Sequence, residues 1–178
     1  MAEEKKEPWL NYLALTTIIL AVCATMATFK GGGFSTRSVL SQTQASDQWA
    51  FFQSKSIKGY LYEMQKDQLE MQAKSLGGKL TPELAADYDK KISGYATKIA
   101  KYESEKSKIT VDAKKLEAVR DDAQRHSQAF GVAVIFLQIA ILLSSIAALL
   151  KKKYVWLLGV IIGAYGVLQF ANGFFLFM

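Results

Sequence analysis

"YDKKISGYATKIAKY", residues 88–102, carries a tyrosine at its start, middle and end: Tyr88, Tyr95 and Tyr102. The spacing is seven and seven, which returns each ring to the same side of a helix after two turns. With Ile92 at heptad position a, the a series reads Ile92, Ile99, Lys106, Ala113, Arg120. The d series reads Tyr88, Tyr95, Tyr102, Ile109, Leu116, Ala123, Phe130. Most of both series is apolar or amphipathic, so the stretch predicts a long helix with one stripe turned towards a partner helix. Phenols ~10 Å apart along one stripe cannot converge on a single substrate atom. A large ring with one polar handle suits packing instead. The predicted coiled-coil packing residues are Tyr88, Ile92, Tyr95, Ile99, Tyr102, Ile109 and Leu116. Lys106 and Arg120 interrupt the core, where they set register or snorkel to its edge.

Upstream, "WAFFQSKSIKGYLYEMQKDQLEMQAKSL" (49–76) is helical by composition, and Trp49, Phe52, Ile57, Tyr60, Met64 and Met71 offer a facing stripe. Between the two legs, Gly77 and Gly78 read as the end of the first helix. Thr81 reads as the cap of the second, with Pro82 at its first position and Glu83 near its positive end. The segment 46–128 therefore predicts an antiparallel helical hairpin with its turn at 77–81. Its legs are unequal, ~45 Å and ~70 Å. The Gly/Ser-rich stretch 30–45 supplies a connector: "KGGGFST" breaks the helix, which restarts near Ser41 to Asp47 with Ser41 or Ser46 as its cap.

Charge is segregated along the chain. Of 178 residues 51% are hydrophobic, yet residues 9–29, 127–150 and 154–178 carry no charge. Each stretch is long enough for the ~30 Å hydrocarbon core. The expected spans are 9–29, 129–150 and 154–178. An N-terminal tail (1–8) precedes the first, and a lysine loop (151–153) joins the last two. Trp9, Tyr12, Tyr154 and Trp156 fit an interfacial aromatic belt. The first span reads as a retained anchor: it is longer than a signal-peptide core, and "LAVC" (20–23) has Val22 where a lipoprotein cleavage box needs a small residue. Lys5, Lys6 and the Lys151–Lys153 triplet fall on one side of a three-span topology. That predicts a cytoplasmic N-terminus with the hairpin outside.

Little in the chain points to catalysis. His126 is the single histidine and stands just before the second span, where it reads as interfacial. Cys23 is the single cysteine, so no internal disulfide forms. No metal-ligand spacing, nucleophile elbow or P-loop occurs. No catalytic, cofactor-binding or metal residue is assigned, and no cofactor is expected. The basic excess between 30 and 126, 17 basic against 13 acidic residues, is closely mixed, so no nucleic-acid partner is expected. Small residues mark close helix approach in the spans: Gly159 and Gly163 in the third, and Ala140, Ser144 and Ala148 in the second. Gln138, Gln169 and Asn172 are expected to hydrogen-bond to neighbouring helices, or else to line a pore.

"QASDQWAFFQSKSIKGYLYEMQ" (44–65) after an N-terminal span resembles a bacterial membrane family catalogued as domain of unknown function 4337. The likeness rests on the Gln-Trp-Ala-aromatic-aromatic-Gln run, on Lys-Ser-Ile-Lys, and on the layout of the whole chain. It implies a fold and no activity. Trp49, Phe51, Phe52, Gln53, Lys55 and Lys58 match the recognisable stretch and form a candidate interaction surface for lipid head groups or a protein partner. The resulting expectation is an all-α membrane protein with three transmembrane helices and a long antiparallel coiled-coil hairpin between the first and second. Its expected role is a non-enzymatic scaffold or accessory protein of the bacterial inner membrane. It would self-assemble into a homo-oligomer and contact membrane lipid or another membrane protein. The alternative is an oligomeric pore built from the spans.

Overall fold

The computed structural model describes residues 8–79 and 81–178, and all regular structure among them is helical. Helix α1 runs Pro8–Leu76 and α2 runs Pro82–Leu150, 69 residues each; α3 runs Lys153–Phe175. Each contains a stretch long and apolar enough to cross a membrane. Lys5, Lys6 and the rest of the tail up to residue 7 lie outside the described residues, as does Leu80 in the turn.

The expected connector at 30–45 does not form: Lys30 to Ala45 is continuous helix within α1. Each glycine in a helix interior costs about 1 kcal/mol relative to alanine, and three in a row suggested a stop. Gly31 is held helical by what it touches. A Cβ there would stand 3.0 Å from the Cβ of Phe130. The Ser127 hydroxyl donates to the Gly31 carbonyl at 3.1 Å. Ser41 and Ser46 consequently cap nothing, and Ser41 is buried in mid-helix. With α1 unbroken, the unequal legs that a connector had to reconcile become two helices of the same length.

The chain divides into two compact units, 41–118 and the remainder. In the first, α1 and α2 run antiparallel: Trp49 meets Glu117, Lys55 meets Glu105, and Tyr62 meets both Tyr102 and Tyr95. Gly77, in the left-handed region at φ 48°, ends α1, and a short 3-10 turn (Gly77–Lys79) follows. Thr81 caps α2, its hydroxyl accepting from the Leu84 N–H at 3.3 Å.

On α2, burial recurs at Tyr88, Ile92, Tyr95, Ile99, Tyr102, Lys106, Ile109, Ala113 and Leu116, alternating steps of four and three. The facing stripe on α1 follows the same rhythm through Ser41, Ala45, Gln48, Phe52, Lys55, Gly59, Tyr62, Lys66, Leu69 and Ala73. It is a different stripe from the one read in the sequence. Trp49 and Phe52 are half-buried, but Ile57, Tyr60, Met64 and Met71 are exposed. The physical reason is volume: opposite the tyrosines of α2, the covered side of α1 alternates small residues (Ala45, Gly59, Ala73) with long amphipathic ones. A search for bulky apolar residues alone selects the wrong side.

The second unit packs the three apolar segments together. Its core holds Leu20, Ala24, Ala27, Phe130, Ala133, Leu137 and Ala140. The link between α2 and α3 is Lys151 and Lys152 alone. Lys151 takes φ 52°, its N–H reaches the Ala148 carbonyl, and the Lys152 N–H reaches the Ala147 carbonyl. This is a Schellman ending with lysine where glycine is usual. Trp9 and Trp156 meet at 6.2 Å between ring centroids, so α1 and α3 begin at the same end of the unit.

Candidate functional site

Within the hairpin unit, the tyrosine stripe is closed by a residue the sequence reading passed over. Tyr62 of α1 lies between Tyr95 and Tyr102, with centroids at 5.5 and 5.9 Å. Lys98 sits over the Tyr62 ring at 4.6 Å and donates to its hydroxyl at 3.3 Å. Further along, Lys55 lies over the rings of Phe51 and Tyr102, at 5.0 and 5.4 Å, and pairs with Glu105 at 2.7 Å. Lys106 lies over Phe52 and Tyr60 and pairs with Glu103 at 2.6 Å. The hydrogen bond from Lys55 holds the Glu105 carboxyl below its usual range. The bond to Glu103 raises the Lys106 ammonium above its own. Trp49 packs edge-on against Phe52 and donates to Glu117 at 2.8 Å. Rings alternate with ammonium groups along this seam, and each charge is met by a carboxylate or a ring face. The arrangement locks two helices in register; its phenols are stacked side by side and present no shared reaction centre.

The six residues offered as an interaction surface do not share a face. Trp49, Phe52 and Lys55 turn towards α2, while Phe51, Gln53 and Lys58 are exposed. Tyr62, Glu105 and Glu117 were missed. The available signal was the heptad through Gln48, Lys55, Tyr62 and Leu69, obscured by its polar members.

In the three-helix unit, α3 lays a row of glycines on α2. A Cβ on Gly159 would meet the Ala140 carbonyl at 3.2 Å, and one on Gly163 would meet Ala140 and Leu20. Ser144 is buried in the same contact, its hydroxyl donating back to Ala140; Ala148 is half-buried. These small residues therefore meet within one chain. Gly166 fits against Leu137 and Gly173 against Phe130. Phe130, fully buried, is the hub: Phe34, Phe170 and Phe174 surround it.

His126 stands one turn from that hub. Its ring stacks on Phe34 at 4.5 Å, and Nδ1 lies 2.8 Å from the Gly173 carbonyl. A carbonyl can only accept, so Nδ1 carries the proton. The expected bonds of Gln169 and Asn172 to neighbouring helices are not what forms. Gln169 donates to Tyr165, Asn172 donates to Gln169, and the Asn172 oxygen accepts the Met178 N–H, all within α3 and its tail. Gln138 is exposed. Among the described residues no group of three metal-ligating side chains converges.

The profile of the family described as "Domain of unknown function (DUF4337)" matches residues 9–176. The chain belongs to that family. The match takes in all three apolar helices and the whole hairpin. No curated protein matches the chain. No solved structure matches it either.

Proposed function

We propose that this DUF4337 protein is a membrane-anchored, non-enzymatic scaffold that self-assembles through its coiled-coil hairpin. The seven-residue rhythm of burial on both legs supports the hairpin within one chain, and the exposed apolar residues Ile57, Leu61, Met64 and Met71 on α1 support its assembly with further copies. That rhythm is the pattern of knobs-into-holes helix pairing. Trp49, Tyr62, Tyr88, Tyr95 and Tyr102 lie along it as packing and register elements. The three apolar helices serve as spans. The shared end of Trp9 and Trp156 puts the N-terminal end of α1 on the side of the lysine loop, in keeping with a cytoplasmic N-terminus and the hairpin outside a bacterial inner membrane. Lipid is then one partner, and copies of the chain are the other.

A pore would ask Gln169 and Asn172 to face water. Both are hydrogen-bonded inside α3, which favours the scaffold. The test is the native mass of the detergent-solubilised protein together with ion flux through reconstituted vesicles. An oligomer without flux is expected. A monomer removes the self-assembling scaffold, and selective flux moves the assignment to the pore.

A further inference from the structure

The side of α1 turned away from α2 is a second heptad seam. Between Ala50 and Ser75, steps of three and four connect Ile57, Leu61, Met64 and Met71, which are 61%, 48%, 63% and 66% exposed. The intervening members of the series are Ala50, Ser54, Gln68 and Ser75, also exposed. None of the eight carries a charge, although Asp47, Lys58, Asp67 and Lys74 stand close by in sequence. This stretch lies outside the three apolar segments, so lipid does not explain its exposed side chains. The outward side of α2 is different in character: Lys90, Lys101, Lys108 and Lys115 are exposed there, with Asp87, Asp89, Glu103 and Asp112 among them. Burying such charges against a second copy costs desolvation; the α1 face carries none.

We propose that the exposed α1 seam pairs with the same seam of a second copy, in parallel and in register. This rests on the scaffold reading and adds the surface, the occupant and the alignment. With the two-fold axis running along the seam, the two copies of α1 meet in parallel, an arrangement that one topology in one membrane permits. In that arrangement each residue of the seam faces its own counterpart across a two-fold axis. Gln68 both donates and accepts, so self-pairing satisfies it; the Ser54 hydroxyl donates to the Ala50 carbonyl of its own helix at 3.1 Å and needs no partner. Gln68 at an a position also penalises slipped registers, as buried polar a residues do. The flanks agree. Residues five apart meet across a parallel pair, which brings Gln53 to Lys58, Tyr60 to Gln65 and Asp67 to Gln72 of the second copy. None of these three pairs opposes like charges. Asp47, the preceding member of the series, would face its own charge and bounds the seam.

The experiment uses the full chain in membranes, with Cys23→Ser removing the native thiol. Single variants Ile57→Cys, Leu61→Cys, Met64→Cys and Met71→Cys are oxidised with copper phenanthroline, and Lys108→Cys and Lys115→Cys on α2 serve as comparison. The expected result is a disulfide-linked dimer band at the α1 positions and none at the α2 positions, since bridging needs Cβ atoms within roughly 4.5 Å. Adding Met64→Glu to Ile57→Cys abolishes the band while helicity by circular dichroism is retained. An oligomer by native mass whose cross-links arise on α2, or survive Met64→Glu, leaves the scaffold standing and overturns this interface. A monomer by native mass with no cross-link overturns both.

Discussion

Gly31 and Phe130 touch across α1 and α2 so closely that a methyl group on Gly31 would sit 3.0 Å from the Phe130 Cβ. The next two glycines differ: a Cβ on Gly32 or Gly33 would meet nothing within 4 Å. The triplet is thus one packing position and two vacant ones. Gly32→Ala and Gly33→Ala are each expected to stabilise the protein by up to about 1 kcal/mol through helix propensity. Gly31→Leu is expected to destabilise it by about 1–3 kcal/mol through overpacking. Thermal unfolding in detergent, followed by circular dichroism, checks all three. If all three variants were equally harmful, the segment would be acting as a hinge.

Tyr62 supplies the ring that fills the space between Tyr95 and Tyr102. Tyr62→Ala is expected to lower hairpin stability by about 2 kcal/mol, since it removes a half-buried ring and two aromatic contacts. Val111→Ala, at an exposed site on α2, is expected to change it by no more than about 0.5 kcal/mol. The difference between the two unfolding midpoints is the measurement.

His126 donates from Nδ1 to a carbonyl near the end of α3, 47 residues away in sequence. His126→Ala leaves that carbonyl without this donor and removes the stack on Phe34. A loss of about 1–3 kcal/mol is expected, with faster amide exchange in the last turn of α3. His126→Phe retains the stack alone and is expected to fall between alanine and wild type.

Glu105 gives the hairpin an acid limit. Its carboxyl is held below the ordinary value of 4.5, first by the hydrogen bond from Lys55. A carboxylate depressed on folding contributes stability that is fully present above its unfolded value. That contribution is lost as pH falls through the folded value. Unfolding midpoints of the wild type are therefore expected to drop as pH is lowered from about 5, partly because of this pair. Glu105→Gln flattens that part of the profile and leaves the neutral-pH midpoint slightly lower. An unchanged acid limb would assign it to other carboxylates.

Much of this fold is legible in the chain because its signals are long and repeated. The charge-free stretches announce three membrane-competent helices, and the tyrosines at 88, 95 and 102 lie on the stripe of α2 that α1 covers. What was illegible depended on a partner. Whether Gly31 breaks or continues a helix is decided by Phe130, 99 positions away. The covered side of α1 holds Gly59, Lys55 and Lys66, residues whose burial makes sense only once the tyrosines of α2 are opposite them. Gln169 and Asn172 were read as reaching outward, but local partners at three and four residues' distance satisfied them first.

The unbroken rhythm of burial along the hairpin has a consequence for how such a protein can change length. One residue inserted into either leg turns everything beyond it by about 100°, carrying every covered side chain out of its seam. Seven residues restore the facing. They must be added to both legs, since residues contributed to one helix find their partners on the other. Length in this hairpin is quantised, and natural long or short forms are expected to differ by matched multiples of seven.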